Sequence, residues 1–587
     1  MQTTTDNSTI TSPSKQSEGC PPDSPNKNKV AYFAATWGNG RADTKQGESR
    51  ERFEYNAGLA AIKDIQQYGE LCRTREGDLY FTSTELPWRL VPLVHDDPRL
   101  IALIDRIFQV RTSSKKAFDV ILCSLQLEAF NNGKIVQVRQ FCHADHQRKI
   151  VYLSLYDGQQ MLKLTGTDED TWDSLPIVDN GTDGVYFIDD SVWEPWYPVR
   201  ARDYITDPET GEEAEIDGYD RTIANRLLVD TIKFKADVLT VDEQRWLMDK
   251  VLTTLLIDLP EKPLLALVGD NGSGKTFVGE TIKTALLGSG AGRAENINTA
   301  ESLRVSLTSN PLVIVDNLDD VDRKQAAWLV KDLSTACTGT TIPLRRYYTT
   351  NDKVVLEPRS WILATSTNTA FVNNSPALGD RVIIFTLDRM ESGGFKERAE
   401  LMRPILEKRD AILTDLALRL NDYVASWRTS KLINTDFRIA SFGLTVSKMA
   451  EQDGELQKAM DIFAKIVSKQ RAVITDNHWL IEAIDRFIAG GNGSYRLTGE
   501  ELMATAKEAG YNHLTVNKIH AEIEAMNRLL AERYQFSVTW PGNRKTYTFH
   551  RNLAEKKDID QNTTVVAPEP VPVPTAQDSA VTSVKEA

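Results

Sequence analysis

The eight residues GDNGSGKT at 269–276 constrain this chain more than any other stretch. They match the phosphate-binding spacing GxxxxGK[ST]. The apolar run Leu264–Val268 precedes them, as a strand buried on both faces of a parallel sheet should read. Phe277, Val278, Ile282, Ala285 and Leu286 follow at helical spacing. Strand, Gly-rich turn and helix in that order predict a nucleoside-triphosphate cradle. Gly269, Gly272 and Gly274 let the backbone close around a polyphosphate, with amide N–H groups aimed at its oxygens. A helix starting at Lys275 or Thr276 adds its partial positive charge. Lys275 supplies a full charge near the β- and γ-phosphates, and the Thr276 hydroxyl is a ligand for Mg²⁺. The whole turn, Gly269, Asp270, Asn271, Gly272, Ser273, Gly274, Lys275 and Thr276, is the predicted cofactor-binding segment.

Three more buried strands are legible downstream. Leu312–Val315 ends in Asp316, at the sheet edge where α/β folds bind ligands, so Asp316 is the second predicted Mg²⁺ group. Asn317 follows it where many ATPases carry Glu. Asn takes no proton but can position water, and Asp319 and Asp320 are alternative carboxylates. The strand at 361–364 ends in TSTN, which puts Thr365 and Asn368 within reach of a γ-phosphate or the attacking water. The strand at 382–387 starts directly after Arg381, either an arginine finger for a neighbouring subunit or half of an ion pair with Asp380. Between the second and third strands, β-prone runs at 341–348 and 353–356 predict a hairpin. Arg345, Arg346 and Lys353 would lie near its tip beside Tyr347 and Tyr348, a pattern suited to a nucleic-acid strand or simply to a solvated hairpin.

Around this core the chain divides into six parts. Residues 1–29 are a Ser/Thr/Pro-rich tail expected to be disordered, and 30–220 form an N-terminal α+β domain. In the latter, helices are expected at 53–68 and 98–110, then strands at 135–141, 149–156, Gln160–Leu164 and 184–188, with a hairpin turn at Asp157-Gly158. Cys142, His143 and His146 read as a polar turn rather than a zinc site, and Asp189-Asp190 as solvated carboxylates. Residues 221–390 are the nucleotide-binding core, and 391–489 a helical lid. Residues 490–553 read helix, helix, hairpin, the order of a winged helix, with Lys518 on the second helix and Arg544 and Lys545 on the wing. That stretch presents DNA-binding or protein-binding alternatives. Residues 554–587 form a Val/Pro/Thr tail expected to be disordered. No run of 18 apolar residues exists, the N-terminus has no signal-peptide core, and five scattered cysteines fit a reducing compartment, so a cytoplasmic location in the host is expected. The net charge of −14 argues against wholesale polyanion binding but allows a local basic surface.

Together these residues resemble the superfamily-three and poxvirus-type primase-helicase branch of the AAA+ ATPases of phages, plasmids and integrated elements. GDNGSGKT is similar to its Walker A motif, VIVDN to Walker B, ATSTN to the sensor 1 strand and the Arg345-Arg346 hairpin to its DNA-contacting element. Arg381 falls where the family has its arginine finger, and DFRIASF at 436–442 resembles the Arg motif of the lid, which makes Arg438 a sensor 2 candidate. The resemblance implies a multidomain α/β protein: an AAA+ P-loop core with a parallel sheet, an N-terminal α+β domain, a helical lid and a C-terminal winged helix. It implies ATP and Mg²⁺ as cofactors, and a catalytic set of Lys275, Asp316, Asn317, Asn368, Arg381 and Arg438. It also implies a homo-hexameric ring on single- or double-stranded DNA, with replication proteins as further partners and no membrane. Three functions follow: an ATP-dependent helicase or replication-initiation ATPase, a non-unwinding AAA+ ATPase that loads or remodels proteins on DNA, and a nucleotide-switched DNA-binding regulator.

Overall fold

The computed structural model describes residues 31–43, 49–111, 114–166, 175–188, 192–199, 204–206, 213–215, 221–295, 297, 299–318, 323–345, 353–356, 358–369, 371, 376–390, 397–429, 433, 435–476, 479–488, 494–508, 514–527, 530–531, 534, 536–539 and 545–550. The chain divides into two compact units, residues 1–470 and 471–587. It is mixed α/β, with a parallel sheet at the centre of the first unit.

The first unit begins with helices Tyr32–Asp43, Arg50–Gln66, Pro98–Phe108 and Lys115–Asn132, packed on strands Gly69–Arg73, Leu79–Ser83, Leu90–Pro92 and Lys134–Ile135. Phe33, Ile65, Phe81, Leu100, Ile104, Phe118 and Ile121 fill the space between them. The caps explain the helix starts. Ser49 accepts from Arg52 N, and Asp97 accepts from Arg99 N and Leu100 N, each satisfying otherwise orphaned donors. Pro98 takes the first helical position, where its missing N–H costs nothing. The buried Asp64 carboxylate accepts the backbone N–H groups of Tyr32 and Phe33 at 2.8 and 2.6 Å and so pins the first helix to the second. Helix Lys115–Asn132 and the strands before Pro98 were not expected. The helix does carry a helical apolar period at Phe118, Ile121, Leu122, Leu125 and Ala129, but exposed Leu127 and Phe130 on its other side blur the pattern.

Next comes an antiparallel sheet of Cys142–Asp145, Ile150–Ser154, Gln160–Leu164 and Ile177–Asp179, in sequence order. The expected Asp-Gly turn is present: Asp157 Oδ1 accepts from Gln159 N and Gln160 N at 2.8 Å each. Three expected strands are shorter than read, at Ile150–Ser154, Gln137–Arg139 and Val185–Phe187, and the last two pair parallel with each other. His143 lies in register with Tyr152, and His146 packs edge-on against Trp427 at 4.9 Å. Among the described residues no group of three or more His, Cys, Asp or Glu is placed to hold a metal. Asp189 and Asp190 lie outside the described residues.

Leu264–Val268 (β1), Leu312–Val315 (β2), Trp361–Ser366 (β3) and Val382–Thr386 (β4) form the central sheet. All pairs are parallel and the order is β2-β3-β1-β4. From β1 the chain runs to one side, returns one place, then crosses β1 to the other side. The carboxyl ends of β1 and β3 therefore flank the point where the order reverses, which is where such sheets leave a crevice. Every residue of β1, β2 and β3 is buried. Burial of each large apolar side chain here stabilises the fold by about 1.5–3 kcal/mol.

Helix Val241–Thr254 leads into the sheet, started by a reciprocal capping box between Thr240 and Glu243. Helices Arg398–Glu407, Arg409–Thr429, Ala440–Gln452 and Leu456–Asp476 follow the sheet. Arg409 fastens them to the core by donating to Pro195 O at 3.2 Å and Leu286 O at 3.1 Å. Arg419 is held between Asp415, Asp249 and Asn225, with Asp415 fully buried.

The second unit contains helices Trp479–Ile488, Gly499–Glu508 and Val516–Ala525 and an antiparallel sheet of Ser494–Thr498, Thr546–His550 and Ser537–Thr539 in that spatial order. The capping box expected at Thr498 and Glu501 forms, with Thr498 N donating to Glu501 Oε2 at 2.7 Å. Thr515 caps the next helix. The expected boundary at 489/490 falls too late. Leu480, Ile481, Ile484 and Ile488 make one apolar face that completes the core of this unit with Leu497, Leu502 and Ile519, so the helix Trp479–Ile488 belongs here rather than to the lid.

Candidate functional site

The loop after β1 is shaped by its glycines. Gly272 and Gly274 have φ of +85° and +80°, where side-chain-bearing residues are strained. At Gly274 a Cβ would also meet Met390 Cε at 2.8 Å. Met390 lies there because β4 runs beside β1, and its N–H donates to Gly272 O at 3.3 Å. The helix starts at Lys275, capped by Gly274, and runs to Leu287.

Lys275 is only 8% exposed. Its Nζ donates to Gly269 O at 2.6 Å and Asp270 O at 3.0 Å, so the charge is held inside the turn by two carbonyls. Ser273 Oγ is buried and has no hydrogen-bond partner among the described residues. An orphaned hydroxyl, a buried ammonium and a helix N-terminus are thus grouped in one turn of backbone that side chains would crowd. That chemistry fits a polyphosphate.

Thr276 Oγ1 donates to Asp316 Oδ1 at 2.8 Å. The sheet thus brings together two residues 40 positions apart that the sequence proposed for one metal. A hydroxyl and a carboxylate are hard oxygen donors, the set that Mg²⁺ takes. Thr365 Oγ1 donates to the same Asp316 Oδ1 at 2.5 Å and accepts from Asn317 N at 3.0 Å. Asn317 is exposed, with φ +54°. Asp319 and Asp320 lie outside the described residues.

Asn368 is also exposed. Its N–H donates to Ser366 Oγ, and Ser366 Oγ donates back to Asn368 O at 2.5 Å, so the turn after β3 is closed on itself. Arg381 sits at the other edge of the sheet. Its carbonyl accepts from Leu264 N at the start of β1, and its guanidinium donates to Ser334 Oγ at 2.7 Å. A strand of five residues, about 16 Å, separates that edge from the loop. Arg438 lies with Arg381: it pairs with Asp380 at 2.9 Å, and burial first and the Arg438 charge second lower the Arg381 pKa from the ordinary arginine range. Asp380 thus pairs with Arg438, and Arg438 is not brought to the loop of its own chain.

A ribbon of Ile342–Arg345 and Lys353–Leu356 forms between β2 and β3, with Arg345 and Lys353 as its last cross-strand pair. Arg346 and Arg544 lie outside the described residues. Lys518 is exposed on its helix. Lys545 is engaged: it pairs with Glu524 at 2.5 Å and lies over the Tyr547 ring. A cavity of about 750 Å³ opens elsewhere, lined by Tyr80, Arg139, Asp258, Arg359 and Trp361. Trp361 begins β3, so this cavity is at the amino edge of the sheet, away from the loop after β1. Sequence reasoning missed it because its walls come from segments far apart in the chain.

Among the described residues no helix is long and apolar enough to cross a membrane. No protein-family profile and no curated protein matches the chain. Among solved structures it is similar to the apo structure of the NrS-1 C-terminal region (305–718), at 11% identity and a TM-score of 0.35 over 86% of this chain and 100% of that one. It is likewise similar to the A form apo structure of that region, at 11% identity and a TM-score of 0.35 over 83% and 98%. A TM-score of this size carries no statement about activity.

Proposed function

We propose that this chain is an ATP-dependent DNA helicase or replication-initiation ATPase of a phage, plasmid or integrated element, with an AAA+ core and a C-terminal winged helix, acting as a homo-hexameric ring on single-stranded DNA. The observation that supports it most is the bond from Thr276, the residue after Lys275, to Asp316, which joins the phosphate loop to a strand-end carboxylate. Backbone N–H groups of the loop bind the phosphates, and Lys275 exchanges its carbonyl partners for phosphate oxygens. Mg²⁺, held through Thr276 and Asp316, would neutralise charge on the β- and γ-phosphates. Asn317 positions water by hydrogen bonding. Arg381, a strand length from its own loop, acts on the nucleotide of the adjacent subunit, and the Arg345–Lys353 ribbon tracks DNA phosphates.

Asn317 favours a second reading. With no carboxylate at that position the water is poorly activated, which suits a slow ATPase that loads or remodels proteins on DNA. Forked-duplex unwinding with ATP separates the two. The wild type is expected to unwind, and Lys275→Ala neither to hydrolyse ATP nor to unwind. A wild type that hydrolyses ATP on DNA yet separates no fork would replace the helicase reading with the loader.

A further inference from the structure

Thr365 has no accessible surface, and it lies one residue from the end of β3. We propose that Thr365 is a positioning residue that orients the metal-binding carboxylate, acting through Asp316 and the Asn317 backbone rather than by touching nucleotide. This rests on the reading of the loop as an ATP·Mg²⁺ site.

The donor and acceptor count supports it. A threonine hydroxyl has one proton and two lone pairs. The Thr365 proton goes to Asp316 Oδ1 at 2.5 Å, and a lone pair takes the Asn317 N–H at 3.0 Å. Its strongest polar capacity is therefore committed before any phosphate arrives. Asp316 Oδ1 accepts from Thr276 as well, so two hydroxyls from two different elements fix one carboxylate oxygen and with it the plane of the whole group. Oδ2 carries neither bond and is the oxygen left for a metal or its water. Thr276, having given its proton to Asp316, keeps its lone pairs for the same metal.

The same hydroxyl engages Asn317. Its N–H is held by Thr365, and its own backbone is left-handed at φ +54°. Asn tolerates that region better than most residues, whereas Glu and especially β-branched residues do not. The backbone conformation thus favours Asn over Glu at this position.

The test measures the affinity of a fluorescent ATP analogue on the full chain across a Mg²⁺ titration and in EDTA. Thr365→Val, which keeps the shape and loses the hydroxyl, should raise the Mg²⁺ needed for half-maximal tight binding by about 10–100-fold, the usual effect of losing an outer-shell partner. Affinity in EDTA should stay unchanged. Thr365→Ser, which keeps the hydroxyl, should restore the wild-type Mg²⁺ requirement and so separates this role from a folding defect. Asn317→Val, which disfavours the left-handed backbone at that position, should shift the requirement in the direction of Thr365→Val. An unchanged Mg²⁺ requirement in Thr365→Val, or an equal loss in EDTA, would overturn the proposal, because Thr365 would then act on nucleotide or on nothing. A wild type that binds no nucleotide in either condition would instead remove the ATP-site reading itself.

Discussion

Gly274→Ala tests whether the loop is held open by backbone conformation or by side-chain contact. At φ +80° an L-residue costs about 1–2 kcal/mol relative to glycine. The new Cβ would also meet Met390 Cε at 2.8 Å. That atom is the end of a flexible side chain, so moving it off its preferred rotamer adds roughly 0.5–1 kcal/mol. The backbone term is therefore the larger. Because the chain has two units, a global melt would mix their transitions. Native-state hydrogen exchange at the amides of Leu264–Val268 reports this sheet alone. The combined loss of about 1.5–3 kcal/mol speeds their exchange by about 10–150-fold. Adding Met390→Ala should recover only the smaller contact share, and ATP affinity should stay low, because the cradle is distorted in both variants. Exchange returning to the wild-type rate in the double variant would refute the reasoning, since the cost would then be the clash with Met390. Unchanged exchange in the single variant would refute it from the other side.

Mixing Arg381→Ala with Lys275→Ala subunits should restore part of the ATPase activity that each lacks alone, since each mixed interface can draw an intact loop from one subunit and an intact arginine from the other; no recovery at any ratio would count against action between subunits. Arg419→Met should lose about 3–5 kcal/mol in a urea titration of the first unit's helices, because Asp415 and Asp249 are left without their shared cation. His143 is pushed down to about 4, by burial first and by Arg139 second. Its folded pKa lies below its unfolded value near 6.5, so the folded state binds fewer protons. Its contribution is complete above about pH 6.5 and is lost as pH falls through about 4, up to roughly 3 kcal/mol. His143→Gln should flatten that acid limb in stability measured against pH, and an identical slope would remove His143 as its cause.

Local features were legible from the chain. The strand–turn–helix around GDNGSGKT depends on an apolar run and glycine spacing, both contained within some two dozen neighbouring residues. The same holds for the hairpin at Asp157-Gly158 and the capping box at Thr498, where each hydrogen bond spans only two or three residues. The helix Lys115–Asn132 was readable in principle but masked by exposed Leu127 and Phe130. Trp479–Ile488 was readable as a helix, yet no pattern says which core an apolar face will join.

What only the tertiary structure decided is which distant groups meet. Periodicity makes a buried strand recognisable but carries no strand order, and the order β2-β3-β1-β4 is what sets Thr276 and Thr365 on one oxygen of Asp316. The same order puts Arg381 and Arg438 at the opposite edge, where no spacing argument could place them. The sequence by itself determined the cradle and its lysine, because glycine freedom and helix polarity act locally. The carboxylate that completes the site, and the hydroxyl that aims it, follow from register between strands, which is settled by packing across the whole sheet.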